Sequence, residues 1–275
     1  MIGELSALLT AFLWSVTSLL FASAVTRIGS IQLNVSRQIL ALIFLTLVIF
    51  IFGFNFSLTT RQIFYLSLSG FVGLTFGDSF LFLAYREIGA RISMLIMSLS
   101  PAVAALLAFL LLNEKLNLIS IVGMIITLSG ILLVVYERNG NQSEKINYSG
   151  LLFALLASIG QGIGLVFAKI AFMDSSNSLN GFVATSVRLA ASLSILLPAS
   201  ILMKKLKNPI NVFRKDLKAL ILTTGGSIAG PFLGITFSLI AISHTKVGIA
   251  STIMALPPVI MLPLVRYFYD EKLTY

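Results

Sequence analysis

Asp78, in the stretch Gly77-Asp78-Ser79, sits well inside an apolar run. An ionised carboxylate at such depth costs about 2.5–3.5 kcal/mol on insertion scales, so its presence calls for a reason. One reason is chemical: a carboxyl that is neutral in one state and charged in another carries a proton or holds a cation. The other is structural, as the partner of a buried arginine or as an acid reaching a nearby interface. Arg37 and Arg188 lie near the starts of two further apolar runs. A guanidinium offers a bidentate fork to a carboxylate or phosphate. Long basic side chains near helix ends also reach the headgroup region, and that is the simpler expectation for both arginines.

Trp14 and Gln161 fall near the middles of two more runs. The indole can stack on an apolar solute, sit over a cation, or pack. Ser15, Ser18 and Ser98 supply hydroxyls, which serine also spends on its own helix backbone. Tyr85 fits either a polar cavity or an interface, and His244, beside Lys246, is expected in a loop. With one His and no Cys, no metal site, thiolate nucleophile or disulfide is available. No nucleophile–base pair is visible, so enzymatic chemistry is not expected. No Gly-Lys-Ser/Thr follows any glycine group, so no ATP site is expected, and no cofactor is implied.

The elements that hold these residues must lie in lipid. Apolar residues make up 57% of the chain and charged ones 11%, too few polar groups to cover a water-soluble fold. The net charge of +9 comes from basic residues placed singly or in pairs between apolar runs, which argues for retention at a membrane face and against nucleic acid. With about 20 residues per crossing, the expected helices are 4–25, 33–54, 62–85, 91–112, 117–136, 149–172, 181–203, 217–242 and 247–268. These runs are too long and too continuously apolar for barrel strands. The connections are short, leaving no room for a soluble domain. Ala22-Ser23-Ala24 resembles a cleavage site, but Glu4 stands where basic residues should precede a signal peptide, so the first helix is expected to stay.

One phrase occurs twice. Ser100-Pro101, an apolar stretch and Asn113-Glu114-Lys115-Leu116-Asn117 return as Pro257-Pro258, an apolar stretch and Asp270-Glu271-Lys272-Leu273-Thr274. Upstream, Ile92, Ile96 and Met97 match Ile249, Ile253 and Met254, and Gly73, Gly77, Phe80 and Ala84 match Gly230, Gly234, Phe237 and Ala241, all without a gap. Arg37 aligns with Arg188, whereas Asp78 meets Ile235. Five helices correspond to five, and an odd number makes the second unit enter the membrane upside down. The expected domains are 1–138 and 147–275. Gly73, Gly77, Gly230 and Gly234 form small faces for close helix contact. Pro101, Pro231, Pro258 and Pro263 each remove a backbone donor and permit bends.

The proline-led helix ending in Glu-Lys-Leu, the Gly-rich helix before it and the doubled five-helix unit resemble the EamA-type branch of the drug/metabolite transporter superfamily. The resemblance covers essentially the whole chain, and its short motifs say little about substrate. It implies ten helices, a central cavity between halves, and alternating access for small metabolites, amino acids or drugs. Here the second half stops at Tyr275, just after the hairpin, so the expected fold is an all-α integral membrane protein of two inverted five-helix repeats with nine spans and the tenth missing, as in a truncated chain. The favoured expectation is a secondary transporter exporting amino acids or related metabolites across the cell membrane of a prokaryote, with protons as coupling ion through Asp78. The alternative is a non-transporting membrane scaffold. The positive-inside rule puts the N-terminus outside, while the family usually has both termini in the cytoplasm, which leaves orientation open. Glu114 and Glu271 are either gates or charges anchoring adjacent helices at the interface, the second being the expectation.

Overall fold

A computed structural model of the chain describes residues 1–114, 147–174 and 179–261, with a few helical positions between 118 and 130. Every described element is a helix. Helix α1 (Ile2–Ile28) meets α2 (Ser30–Phe52) through Gly29 alone, whose φ of 82° lets the chain turn without an intervening loop. Thr59 and Gln62 form a capping box that starts α3 (Thr60–Gly70). This helix runs into a π-helical segment, π1 (Phe71–Gly77), and then α4 (Asp78–Met97). Next come α5 (Ser100–Leu112), α6 (Tyr148–Phe172), α7 (Gly181–Leu202) and the short α8 (Pro209–Lys215). The described chain ends with α9 (Leu217–Ser227), π2 (Ile228–Gly234), α10 (Ile235–His244), α11 (Val247–Met254) and a helical turn resuming at Pro257.

Six helical runs among the described residues are long and apolar enough to cross a membrane. One of them, Thr60–Leu112, has 53 residues and contains both expected spans 62–85 and 91–112. It folds back at Gly89, where φ is 74°. The Tyr85 hydroxyl donates to the Met94 sulfur at 3.1 Å, whereas nine residues of straight helix would separate them by about 13 Å along the axis. The expected span 117–136 falls for the most part outside the described residues, as do residues 262–268 of the last span, Pro263, and the Asp270 to Thr274 hairpin with Glu271.

The duplication is visible in backbone irregularities. The two π segments stand 157 residues apart at both ends, Phe71 to Ile228 and Gly77 to Gly234. The same spacing relates the chain reversal at Gly89 to the joint at Lys246, and the helix break at Ser98-Leu99 to that at Ala255-Leu256. The expected fourth and last helices are therefore discontinuous. Pro101 lies in the first turn of α5, where its missing N–H leaves no bond unmade.

The halves interlock. Helix α6 packs on α3, π1, α4 and α5, and α1 packs on α9, π2, α10 and α11. Small residues permit this: a β-carbon on Gly164 would stand 3.0 Å from the Cα of Gly73, and one on Gly160 would stand 3.0 Å from the Cα of Gly77. Serines, threonines and alanines dominate the buried positions, while Phe12, Leu47, Phe50, Phe64 and Leu110 face outward. An apolar exterior around a small-residue interior suits lipid as solvent. Ala22-Ser23-Ala24 lies within α1, with Ala24 fully buried.

Candidate functional site

The charged centre grows from α2. Arg37 is the eighth residue of that helix, roughly 10 Å along its axis, and forms an ion pair with Asp78, the first residue after π1. Asn34, one turn earlier, accepts from Arg37 Nε at 3.1 Å and Nη2 at 3.0 Å, and from Gln38 Nε2 at 2.9 Å. Its own amide donates to Ser79 Oγ at 3.0 Å and to the Leu74 carbonyl, inside π1, at 3.4 Å. The Arg37 guanidinium carbon lies 4.8 Å from the ring centre of Phe82 and 5.7 Å from that of Phe21. The carboxylate, the amide and two aromatic faces thus satisfy the cation inside the protein.

Neither arginine reaches toward headgroups, contrary to the sequence expectation. Arg37 is 4% exposed and Arg188 1%. Arg188 occupies the eighth position of α7, matching Arg37 in α2. Its surroundings differ. Among the described residues it makes no side-chain hydrogen bond or ion pair within 4.0 Å, and its Nε is buried without an acceptor. A β-carbon on Gly73 would stand 3.1 Å from Arg188 Nη2 and 3.7 Å from Gln161 Oε1, so guanidinium and amide share one face of π1. Gln161 Oε1 is also buried without a donor.

A cavity of about 70 Å³ is lined by Trp14, Thr17, Arg37, Asp78, Tyr85 and Gln161, among others. A second, of about 30 Å³, is lined at the two helix breaks by Ser98, Ser100, Pro101, Ala255 and Pro257. The two share Trp14, Met94, Met97 and Gln161. Residues of both halves therefore line two adjoining spaces that combine an ion pair, the Gln161 side chain and soft apolar side chains. Such a lining fits a small organic solute with a polar group.

The structure brings Asp78, Arg37, Trp14, Gln161, Tyr85 and Ser98 to these spaces, with Pro101 at their wall and Pro258 next to lining Pro257. Gly73 and Gly77 back onto Gln161, and Gly230 and Gly234 onto Thr17 and Trp14. Ser18 stays outside, donating to the Ser15 carbonyl at 2.8 Å and to the Met261 sulfur at 3.2 Å. Ser98 donates to the carbonyls of Met94 and Ala255, which ties the two breaks together. Arg188 stands behind the lining. Asn34, Gln38, Phe21, Phe82 and Met94 had not been singled out; Asn34, Arg37 and Gln38, at i, i+3 and i+4 on an apolar helix, carried a signal that could have found the first two.

Charges also organise the ends. Arg27 pairs with Asp216 at 2.9 Å, and Asp216 caps α9 through the Ala219 N–H at 2.9 Å. That backbone bond, then Arg27, holds the carboxyl below the usual aspartate range. At the other end Glu114 accepts from the Val247 N–H at 2.9 Å, and Lys169 donates to the carbonyls of Ile242 at 2.5 Å and Thr245 at 3.2 Å. His244 closes α10. No cluster of three metal-ligating side chains occurs among the described residues.

No curated protein matches the chain. Nineteen chains of solved structures do. One, a crystal structure of a protein, has a TM-score of 0.76 and 15% identity, covering 99% of this chain and 90% of its own. That likeness speaks for the fold. The sequence profile of the EamA-like transporter family matches residues 1–136 and again 148–275. The chain belongs to the EamA-like transporter family, as a multi-pass membrane transporter of small solutes.

Proposed function

We propose that this protein exports amino acids or related small metabolites by alternating access, with two inverted repeats, 1–138 and 147–275, rocking about the shared cavity. The observation that carries this reading is the Arg37–Asp78 pair at the wall of a cavity lined by both halves. A buried ion pair in an apolar bundle stores little net stability and sits where a solute or a proton can break it. Protonation of Asp78 releases Arg37, and re-ionisation restores the pair, so proton binding biases the two arrangements. The matched breaks at Ser98-Leu99 and Ala255-Leu256 supply hinges on both sides of the cavity. Trp14, Tyr85 and the neighbouring methionines fit the apolar part of a solute. A scaffold would need no such polar cavity.

The test is flux into proteoliposomes of a labelled panel of amino acids, purines, sugars and quaternary amines, with and without a proton gradient. The wild type is expected to move one class saturably and with the gradient. Asp78→Asn is expected to lose the gradient dependence. If Asp78→Asn responds to the gradient as the wild type does, the coupling role fails; if no solute moves, the transport reading fails.

A further inference from the structure

Arg188 is the buried charge without a side-chain partner among the described residues. Its repeat-mate Arg37 has an acceptor set built for it: the Asn34 amide oxygen and the Asp78 carboxylate. The corresponding positions in the second half are Thr185 and Ile235. The Thr185 hydroxyl donates to the Gly181 carbonyl at 2.8 Å and accepts from the Thr236 hydroxyl at 3.2 Å, and isoleucine accepts nothing. The second half has therefore kept the cation without the carboxylate, and its Thr185 hydroxyl is engaged with Gly181 and Thr236 rather than with Arg188. Asp78 lies near enough for its charge to act on Arg188, yet it is bound to Arg37 and beyond ion-pair distance of Arg188. With Arg37, Arg188 and Asp78 charged, the buried cluster carries one positive charge that no described residue compensates. A buried cation without hydrogen-bond partners is costly, and only something that comes and goes can relieve it while keeping the site open to exchange.

We propose that Arg188 is the docking point for a single carboxylate on the transported solute, which rests on the transporter reading above and names the solute class. The planar fork matches a carboxylate bidentately. One monoanion brings the cluster to neutrality, whereas a phosphate monoester, with about 1.5–2 negative charges at pH 7, would overshoot it. Gln161 stands beside the guanidinium on the face of Gly73 and lines both cavities. Its amide N–H group is the donor it can offer a carboxylate at the cavity wall, next to Arg188.

The test is thermal unfolding of the full chain in detergent with matched probes: phenylacetate and hexanoate, their primary amides, and phenyl phosphate. The carboxylates are expected to raise Tm, the amides and the phosphate to have little effect, and Arg188→Gln to weaken the carboxylate response by about tenfold or more. Arg188→Lys, which keeps the charge but loses the fork, should retain part of it. Without probe, Arg188→Gln is expected to melt a few degrees above the wild type, because an unpaired buried charge is gone; an arginine needed only for structure would show the reverse. Equal stabilisation by acid and amide, a full carboxylate response in Arg188→Gln, or no response from any probe overturns the proposal. Proteoliposome flux separates the two readings. Transport of neutral or cationic solutes that survives in Arg188→Gln, without carboxylate binding, sinks this inference and keeps the transporter. Arg188-dependent carboxylate binding without flux does the opposite.

Discussion

Arg37 and Arg188 occupy the same turn of α2 and α7, and what separates them is the neighbour each one finds. Asp78 could be recognised in the sequence because a carboxylate in an apolar run stands out by cost alone. The arginines stood out equally but pointed to the wrong surroundings. Position along a helix says how far a side chain is from the headgroups, not whether inward acceptors and rings exist to hold it, and Phe21, Phe82 and Asn34 come from other stretches of chain or another turn. Removing one member of the Arg37–Asp78 pair leaves an unpaired buried charge, so Asp78→Ala is expected to destabilise by about 3–5 kcal/mol. Arg37→Met with Asp78→Leu removes both charges and should recover most of that loss while leaving the protein inactive. Reversible unfolding of Asp78→Ala, of the singles Arg37→Met and Asp78→Leu, and of the double variant in mixed micelles measures it; additive losses in the double variant would show that the two side chains do not act as a pair.

At the scale of elements, helix content, the long apolar runs and the small faces of Gly73, Gly77, Gly230 and Gly234 were legible. The π segments and the breaks before α5 and before Pro257 were not. A π turn depends on which carbonyl each N–H chooses, and no residue type selects i→i+5 bonding strongly enough to be read from a single chain. The consequence is a set of backbone contacts that tolerate nothing. A β-carbon on Gly70, at the junction of α3 and π1, would lie 2.2 Å from the Arg188 carbonyl oxygen. That oxygen belongs to the backbone of α7 and cannot step aside. Gly70→Ala is therefore expected to cost about 1–3 kcal/mol or more and to disturb Arg188. Gly225 faces only a Leu20 methyl at 3.5 Å, so Gly225→Ala should be neutral or slightly stabilising. Melting temperatures of the two variants, measured side by side, decide; equal effects would mean that α3 and α7 do not approach as closely as this.

For the whole molecule, the repeat gave the register between halves but not who touches whom. Internal similarity suggests two units, each with its own core, whereas each unit's first helix is lodged in the other. Without α6, the first half exposes the glycine faces of π1 and the inner side of α4 and α5; without α1, the second half exposes those of π2, α10 and α11. In lipid the loss of such packing is not made good by the solvent, because association there rests on close van der Waals contact and interhelical hydrogen bonds. Ser69 donating to the Gly164 carbonyl at 2.5 Å and Thr75 bonding Ser192 at 2.8 Å are contacts of that kind, and both cross between halves. Neither fragment 1–138 nor fragment 147–275 is therefore expected to fold alone, and each should aggregate or be degraded in the membrane. Expressed together, they should assemble, co-purify and bind solute, since the cut falls between repeats and removes none of these contacts. Fragment 1–138 purifying alone as a monodisperse helical species would show that its core is self-sufficient and that the interlock contributes little. Co-purification without solute binding would instead place the importance of the covalent link in the motion that the cavity must undergo, because the packed state would form while the two halves no longer moved as one device.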